Sequence, residues 1–291
     1  MTRPGLLGSR RARRLLLLLA LVAVLALLLL RGPAAFRGRF GLVGSHDFLE
    51  YWGAARLLWH GGNPYDPVAL LAVEQGVGWP ESRALMMYNP PWTLTLLLPL
   101  APLPFGLATI TWLLVQLGLL LGCSLLLWRY FAPDDRRYWI GPLLAAAFAP
   151  SVYALRMGQI SPWLLLGVVG FLWCQRGRRD LLAGASLALL TIKPHVAYLF
   201  WLAALWWAWR SRRWRVLAGW LAALIAASGV VLLFSPAIFA NYLVVVAGPQ
   251  DWASPTFGGW LRFFFGLERT WLQYLPSLLG LLGLAIWLWR R

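Results

Sequence analysis

Long apolar stretches, interrupted at intervals by short basic clusters, set the pattern of this chain. Leu15 to Leu30 contains no polar residue, and Arg10, Arg11, Arg13 and Arg14 precede it. A membrane-crossing helix needs roughly 20 apolar residues, with a range of about 17–25, so 15–30 reads as a first transmembrane helix. A cleaved leader is the competing reading. Its apolar region would be long and Pro33-Ala34-Ala35 is a poor cleavage site, so the retained helix is preferred. The same pattern predicts spans at 105–128, 139–155, 160–174, 216–234 and 271–289. Residues 181–209 form one long apolar stretch broken at Lys193-Pro194. Proline cannot continue the helical ladder there, and lysine is costly in lipid. The stretch therefore reads as two short helices, 181–192 and 195–209, joined by a tight turn. The proline-bounded segment 91–101 is either re-entrant or a ninth span.

Charge orders these spans. With the N-terminus inside and strict alternation, segments 1–14, 129–138, 175–180, 210–215 and 290–291 are cytoplasmic. They hold 17 of the 26 basic residues but 3 of the 10 acids. That asymmetry is the positive-inside bias. It predicts an all-α polytopic membrane protein of about eight to nine helices, with both termini cytoplasmic. One integral-membrane domain covers 1–291. It comprises the first helix 15–30, a large extracytoplasmic loop 31–90, a membrane core 91–234, a second extracytoplasmic loop 235–270 and a last helix 271–289.

Composition agrees. Hydrophobic residues make up 60% of the 291, charged residues 12%, and mean hydropathy is +0.67. A soluble domain carries about twice that charge. The net charge of +16 does not indicate nucleic acid, because the arginines lie in short clusters between apolar runs rather than on one basic domain. Twenty tryptophans fit membrane interfaces. Cys123 and Cys174 fall inside apolar segments and indicate neither a disulfide framework nor a zinc site.

The first outer loop is the most informative. From Asp47 to His60 the pattern reads as an amphipathic helix, with Phe48, Trp52, Ala55 and Trp59 on one side and Asp47, Glu50 and Tyr51 on another. Gly61-Gly62 stops it and Asn63-Pro64 turns the chain. Such a helix is expected to lie roof-like in the interface. Asp47 followed by Glu50 also fits a capping arrangement. The alternative role for Asp47 is a general base just above the membrane, and one carboxylate has oxygens enough for both.

The string Asp47-Phe48, Tyr51-Trp52, Ala54-Ala55-Arg56-Leu57-Leu58, Gly62-Asn63-Pro64-Tyr65-Asp66 resembles the signature of glycosyltransferase family 87, the DUF2029 group. Tyr88-Asn89-Pro90-Pro91-Trp92 with Pro99-Leu100-Ala101, Gly158-Gln159, and Ala183-Gly184 with Lys193-Pro194 nine residues on resemble further segments of that family, in order, over roughly 40–270. The resemblance implies a GT-C fold in a bacterial plasma membrane. It also implies transfer of a hexose, with mannose the expectation because the family includes polyprenol-phosphate-mannose-dependent mannosyltransferases, from a polyprenyl-phosphate sugar to a cell-envelope glycolipid or glycan.

Such a reaction needs one base for the acceptor hydroxyl and a cationic cradle for the departing phosphate. Asp47 is the candidate base, and a single carboxylate fits inversion rather than a two-carboxylate retaining mechanism. Lys193, Arg156 and Arg262 are the candidate phosphate contacts. Gln159, His195, Tyr51 and Tyr88 are candidate substrate contacts. Five of these have a plain alternative: a snorkelling Lys193, an interfacial Arg156, a Gln159 helix cap, a packed His195, a turn-shaping Tyr88. No compact acidic set suits Mg²⁺ or Mn²⁺, so metal-independent transfer without a cofactor is expected. A lipid-linked glycan transporter would show repeats and broken midplane helices; one broken hairpin and no repeat are present. A non-catalytic membrane partner is the third reading, distinguished by whether Asp47, Arg156 and Lys193 converge.

Overall fold

The computed structural model describes residues 46–248 and 256–290. The expected first helix 15–30, the start of the first loop, and 249–255 of the second loop lie outside the described residues. Among the described residues there are thirteen α-helices and several short 3₁₀ turns, and no strand. Helix α1 spans His46–Trp59, and α2 spans Pro67–Gln75. A broken apolar segment, 91–100, consists of two 3₁₀ turns flanking the single turn α3, Leu94–Leu97. Then come α4, Phe105–Phe131, α5, Ile140–Ala147, α6, Ala149–Met157, and α7, Ser161–Arg176. Helix α8, Asp180–Ala188, runs into a 3₁₀ turn, Leu189–Ile192. Helices α9, Tyr198–Arg210, α10, Trp214–Phe234, α11, Ile238–Ala247, α12, Phe257–Phe265, and α13, Leu275–Trp289, complete the series.

Two of these helices, α4 and α10, are long and apolar enough to cross a membrane, and α5 with α6 makes a third if the bent pair is one span. The pair bends by 66°. The break falls at Phe148, which is extended with ψ 114°, and Pro150 in the first turn of α6 has no N–H to carry the helical ladder across it. The expected hairpin break at Lys193-Pro194 is present, with a turn at 193–197 between the 3₁₀ end of α8 and the start of α9.

Helix α1 departs from the expected roof. Phe48, Leu49, Tyr51, Trp52, Ala54, Ala55 and Leu58 are all buried, on every side of the helix. It is a core helix rather than an interfacial one, since its buried residues extend well beyond the single apolar side that an interfacial helix would bury. Each large side chain so buried contributes about 1.5–3 kcal/mol. Phe48 stacks on Phe105 and Trp112 at 6.3 and 5.3 Å, and Trp112 stacks on Trp163 at 6.3 Å. The Arg56 guanidinium donates to the Ala101 carbonyl at 2.9 Å and covers the Trp52 ring. These contacts tie α1 to α4 and to the segment before it.

The turn after α1 forms as its residue types dictate. Gly61 takes a left-handed φ of 76°. Asn63 accepts from the Tyr65 amide, and Asp66 caps α2 by accepting from Val68 and Ala69. Helix α8 crosses α10 at a close glycine contact, with Gly184 against the Val216 carbonyl and Gly219 against Leu181. An Arg213–Asp180 ion pair at 3.4 Å closes one end.

Candidate active site

Four separate elements converge at one end of α1. Asp47 lies in its first turn, where the helix dipole favours an acid. One oxygen of its carboxylate accepts from His46 Nδ1 at 3.2 Å. The other accepts a hydrogen bond from the Gln159 amide nitrogen. The Gln159 amide oxygen in turn accepts from Lys193 Nζ at 3.3 Å and from the Ser161 hydroxyl at 3.4 Å. Asp47 and Lys193, both among the described residues, form no direct ion pair. The amide orientation is fixed by chemistry, since a carboxylate only accepts and an ammonium only donates.

The backbone around Gln159 is shaped for this. Helix α6 ends at Gly158, whose φ of 73° is left-handed. The Gln159 amide N–H closes back onto the Ala154 carbonyl at 2.9 Å. Two side chains of α4 hold the next carbonyls: Trp112 donates to Gly158 at 2.9 Å, and Gln116 donates to Gln159.

Lys193 sits at the end of the 3₁₀ turn, held in place from the preceding residue. Asn89 donates to the Ile192 carbonyl at 2.9 Å, and Asn89 is itself engaged by the Tyr65 hydroxyl at 3.2 Å. The Gly-Asn-Pro-Tyr-Asp turn is thus linked through Asn89 to the residue before the lysine. Glu74, fully buried on α2, accepts from the Leu85 amide at 3.0 Å and braces the loop leading to Asn89.

Glu50, one turn beyond Asp47 on α1, is the group that sequence reasoning did not assign to the site. Burial, and next the Asp47 charge, push its carboxyl up to about 8, opposed by Lys193. Its signal in the sequence was the three-residue spacing from Asp47, which sets both on one helical face. A second signal was also present. Lys193 is the only lysine among the chain's 26 basic residues; every other one is arginine. Arginine is a delocalised, permanently charged fork, whereas lysine is a compact and mobile donor.

The remaining candidates divide. Tyr51 is buried against Trp112, at 6.3 Å between ring centroids. Tyr88 precedes Asn89, and its carbonyl accepts from the Tyr242 hydroxyl at 3.5 Å. Arg156 is exposed in the last turn of α6, and His195 is exposed two residues beyond Lys193. Arg262 is not brought to the site. It is buried, and its guanidinium donates to the Leu267 carbonyl and to the Gln273 amide oxygen at 2.8 Å. It latches α12 to the turn at Thr270–Gln273, because a buried guanidinium must spend its donors where acceptors lie.

The sequence model of glycosyltransferase family 87 matches residues 87–291. Asn89, Gln116, Gln159 and Lys193 fall within the matched stretch; Asp47 and Glu50 precede it. No curated protein and no solved structure matches the chain.

Proposed function

The chain belongs to glycosyltransferase family 87 and is a membrane glycosyltransferase, and we propose that it moves a hexose, mannose by preference, from a polyprenyl-phosphate donor to an extracytoplasmic glycolipid or glycan. In this reading the chain crosses a bacterial plasma membrane eight or nine times in a GT-C-like layout. Both termini are cytoplasmic, and loops 31–90 and 235–270 lie outside.

Asp47 is the base. The acceptor hydroxyl gives its proton to the Asp47 carboxylate as its oxygen attacks C1 of the sugar. The bond from C1 to the phosphate oxygen breaks, and polyprenyl phosphate leaves with one more negative charge. Lys193 offsets that charge where it develops, with the exposed Arg156 as a second phosphate contact and the exposed His195 as a substrate contact. Tyr88 is assigned to the substrate in this reading, whereas Tyr51, fully buried against Trp112, stands behind the site as packing. One displacement inverts the anomeric centre. The observation that carries the reading is the convergence of Asp47 and Lys193, 146 residues apart, on the two ends of one amide.

The test offers radiolabelled polyprenyl-phosphate hexoses and membrane lipid extract to purified wild type and to Asp47→Asn. Transfer by wild type, and a loss of about 10²–10⁴-fold in the folded variant, is expected. Full transfer by folded Asp47→Asn overturns the base. No transfer by wild type from any polyprenyl-phosphate sugar overturns the donor class.

A further inference from the structure

We infer that Gln159 is a positioning residue that holds Asp47 and Lys193 apart, and that Gln116 on α4 is the anchor that fixes it. The inference rests on the transferase reading for its purpose, but its geometry stands by itself. A carboxylate and an ammonium that reach the same side chain in a partly buried setting attract one another and are drawn towards direct contact. Once paired, the carboxylate is a weaker base and the ammonium is turned towards it, so each is less available to a substrate. The Gln159 amide satisfies both at once without charge of its own: its nitrogen donates to Asp47 and its oxygen accepts from Lys193. Each partner keeps bonding capacity for an incoming hydroxyl or phosphate.

The spacer works only if its backbone stays put, and this is the role assigned to Gln116. Its side chain is fully buried in the 27-residue apolar helix α4. Its amide nitrogen donates to the Gln159 carbonyl. Its amide oxygen has no hydrogen-bond partner among the described residues. A buried acceptor left so is destabilising, and leucine would suit the position better on packing alone. What the amide supplies in return is the hold on the Gly158-Gln159 turn. Trp112 shares that hold one helical turn earlier on α4.

The lone lysine makes the test direct. Purified full-length protein is treated with a trace of an amine-selective acylating reagent at fixed pH, and the peptide carrying Lys193 is quantified by mass spectrometry. In Gln159→Leu the Asp47 carboxylate closes on the ammonium, and acylation slows roughly tenfold. In the double variant Asp47→Asn with Gln159→Leu the slowing disappears. Gln116→Leu keeps Gln159 and replaces a buried amide by an apolar side chain of similar size. It produces the same slowing in weaker form, again abolished by Asp47→Asn. Acylation unchanged in both single variants, or slowing that persists without the Asp47 carboxylate, overturns the inference. The readout needs no turnover, so a failed donor assay and a failed spacer are told apart.

Discussion

The Asn89 side chain donates to the Ile192 carbonyl at 2.9 Å, across 103 residues of chain and one residue before Lys193. The carbonyl at the end of a helical turn has no partner within its own helix, and here a side chain from the first loop supplies one. Asn89→Leu removes the donor and leaves that carbonyl unpaired, at a cost of about 1–3 kcal/mol. The turn carrying Lys193 then loses its fixed position. Sugar transfer by the folded variant is expected to fall roughly tenfold or more, since misplaced catalytic groups lose rate steeply. Transfer at the wild-type rate would show that the turn holds without the clip.

Helices α8 and α10 touch through Gly184 and Gly219. A Cβ on Gly184 would lie 1.9 Å from the Val216 carbonyl oxygen, which is backbone and cannot swing aside. Gly184→Ala must therefore push the helices apart, and a loss of about 1–3 kcal/mol or more is expected. Gly229, also on α10, is the control, because a Cβ there meets nothing within 4 Å. Gly229→Ala is expected to be neutral or to stabilise by up to about 1 kcal/mol. Thermal unfolding in detergent separates the two; equal midpoints would remove the glycine contact as a determinant of the fold.

How much of this was legible in the sequence depends on the range of the physics. The turn at Gly61 to Asp66 and the break at Lys193-Pro194 were legible, since glycine, proline, asparagine and aspartate act on backbone within two to four residues. The burial of α1 was not. Phe48 and Trp52 mark an apolar side, but Leu49, Ala54 and Leu58 fill the others, and whether a helix lies on a surface or inside a core depends on what packs around it. Span count suffers likewise, because an apolar run such as 238–247 reads the same against lipid or protein. Arg262 was assigned to phosphate by its charge and its loop. Its actual acceptors, Leu267 and Gln273, lie within eleven residues but depend on how α12 folds back.

Glu50 gives the protein a pH dependence with a definite sign. Its carboxyl is raised from 4.5 to about 8, chiefly by burial and then by Asp47. A raised carboxyl contributes stability that is fully present below pH 4.5 and is lost as pH rises through about 8. Glu50→Gln mimics the protonated form and removes that dependence. The wild type is therefore expected to lose stability relative to Glu50→Gln across this window, with a parallel alkaline fall in transfer that the variant lacks. Thermal midpoints and transfer rates at several pH values test this; identical profiles for the two proteins would place Glu50 outside the site's electrostatics.

Lys193 provides the last prediction, through its chemistry rather than its charge alone. The chain uses arginine at every other basic position, so a cation that merely snorkels would be expected to be arginine here too. Lys193→Arg keeps the charge but brings a planar, larger fork to a site where one ammonium meets the Gln159 oxygen at 3.3 Å. A fall of about 10–100-fold in transfer is expected from the misfit. Lys193→Met keeps much of the side chain's length, removes the charge, and should cost about 10²–10³-fold in the maximal rate if the leaving phosphate depends on it. The order of the two variants decides between the readings. Wild-type rates in both make Lys193 an interfacial anchor. Full activity in Lys193→Arg alone makes charge sufficient. Graded loss from arginine to methionine assigns the compact ammonium to the reacting phosphate.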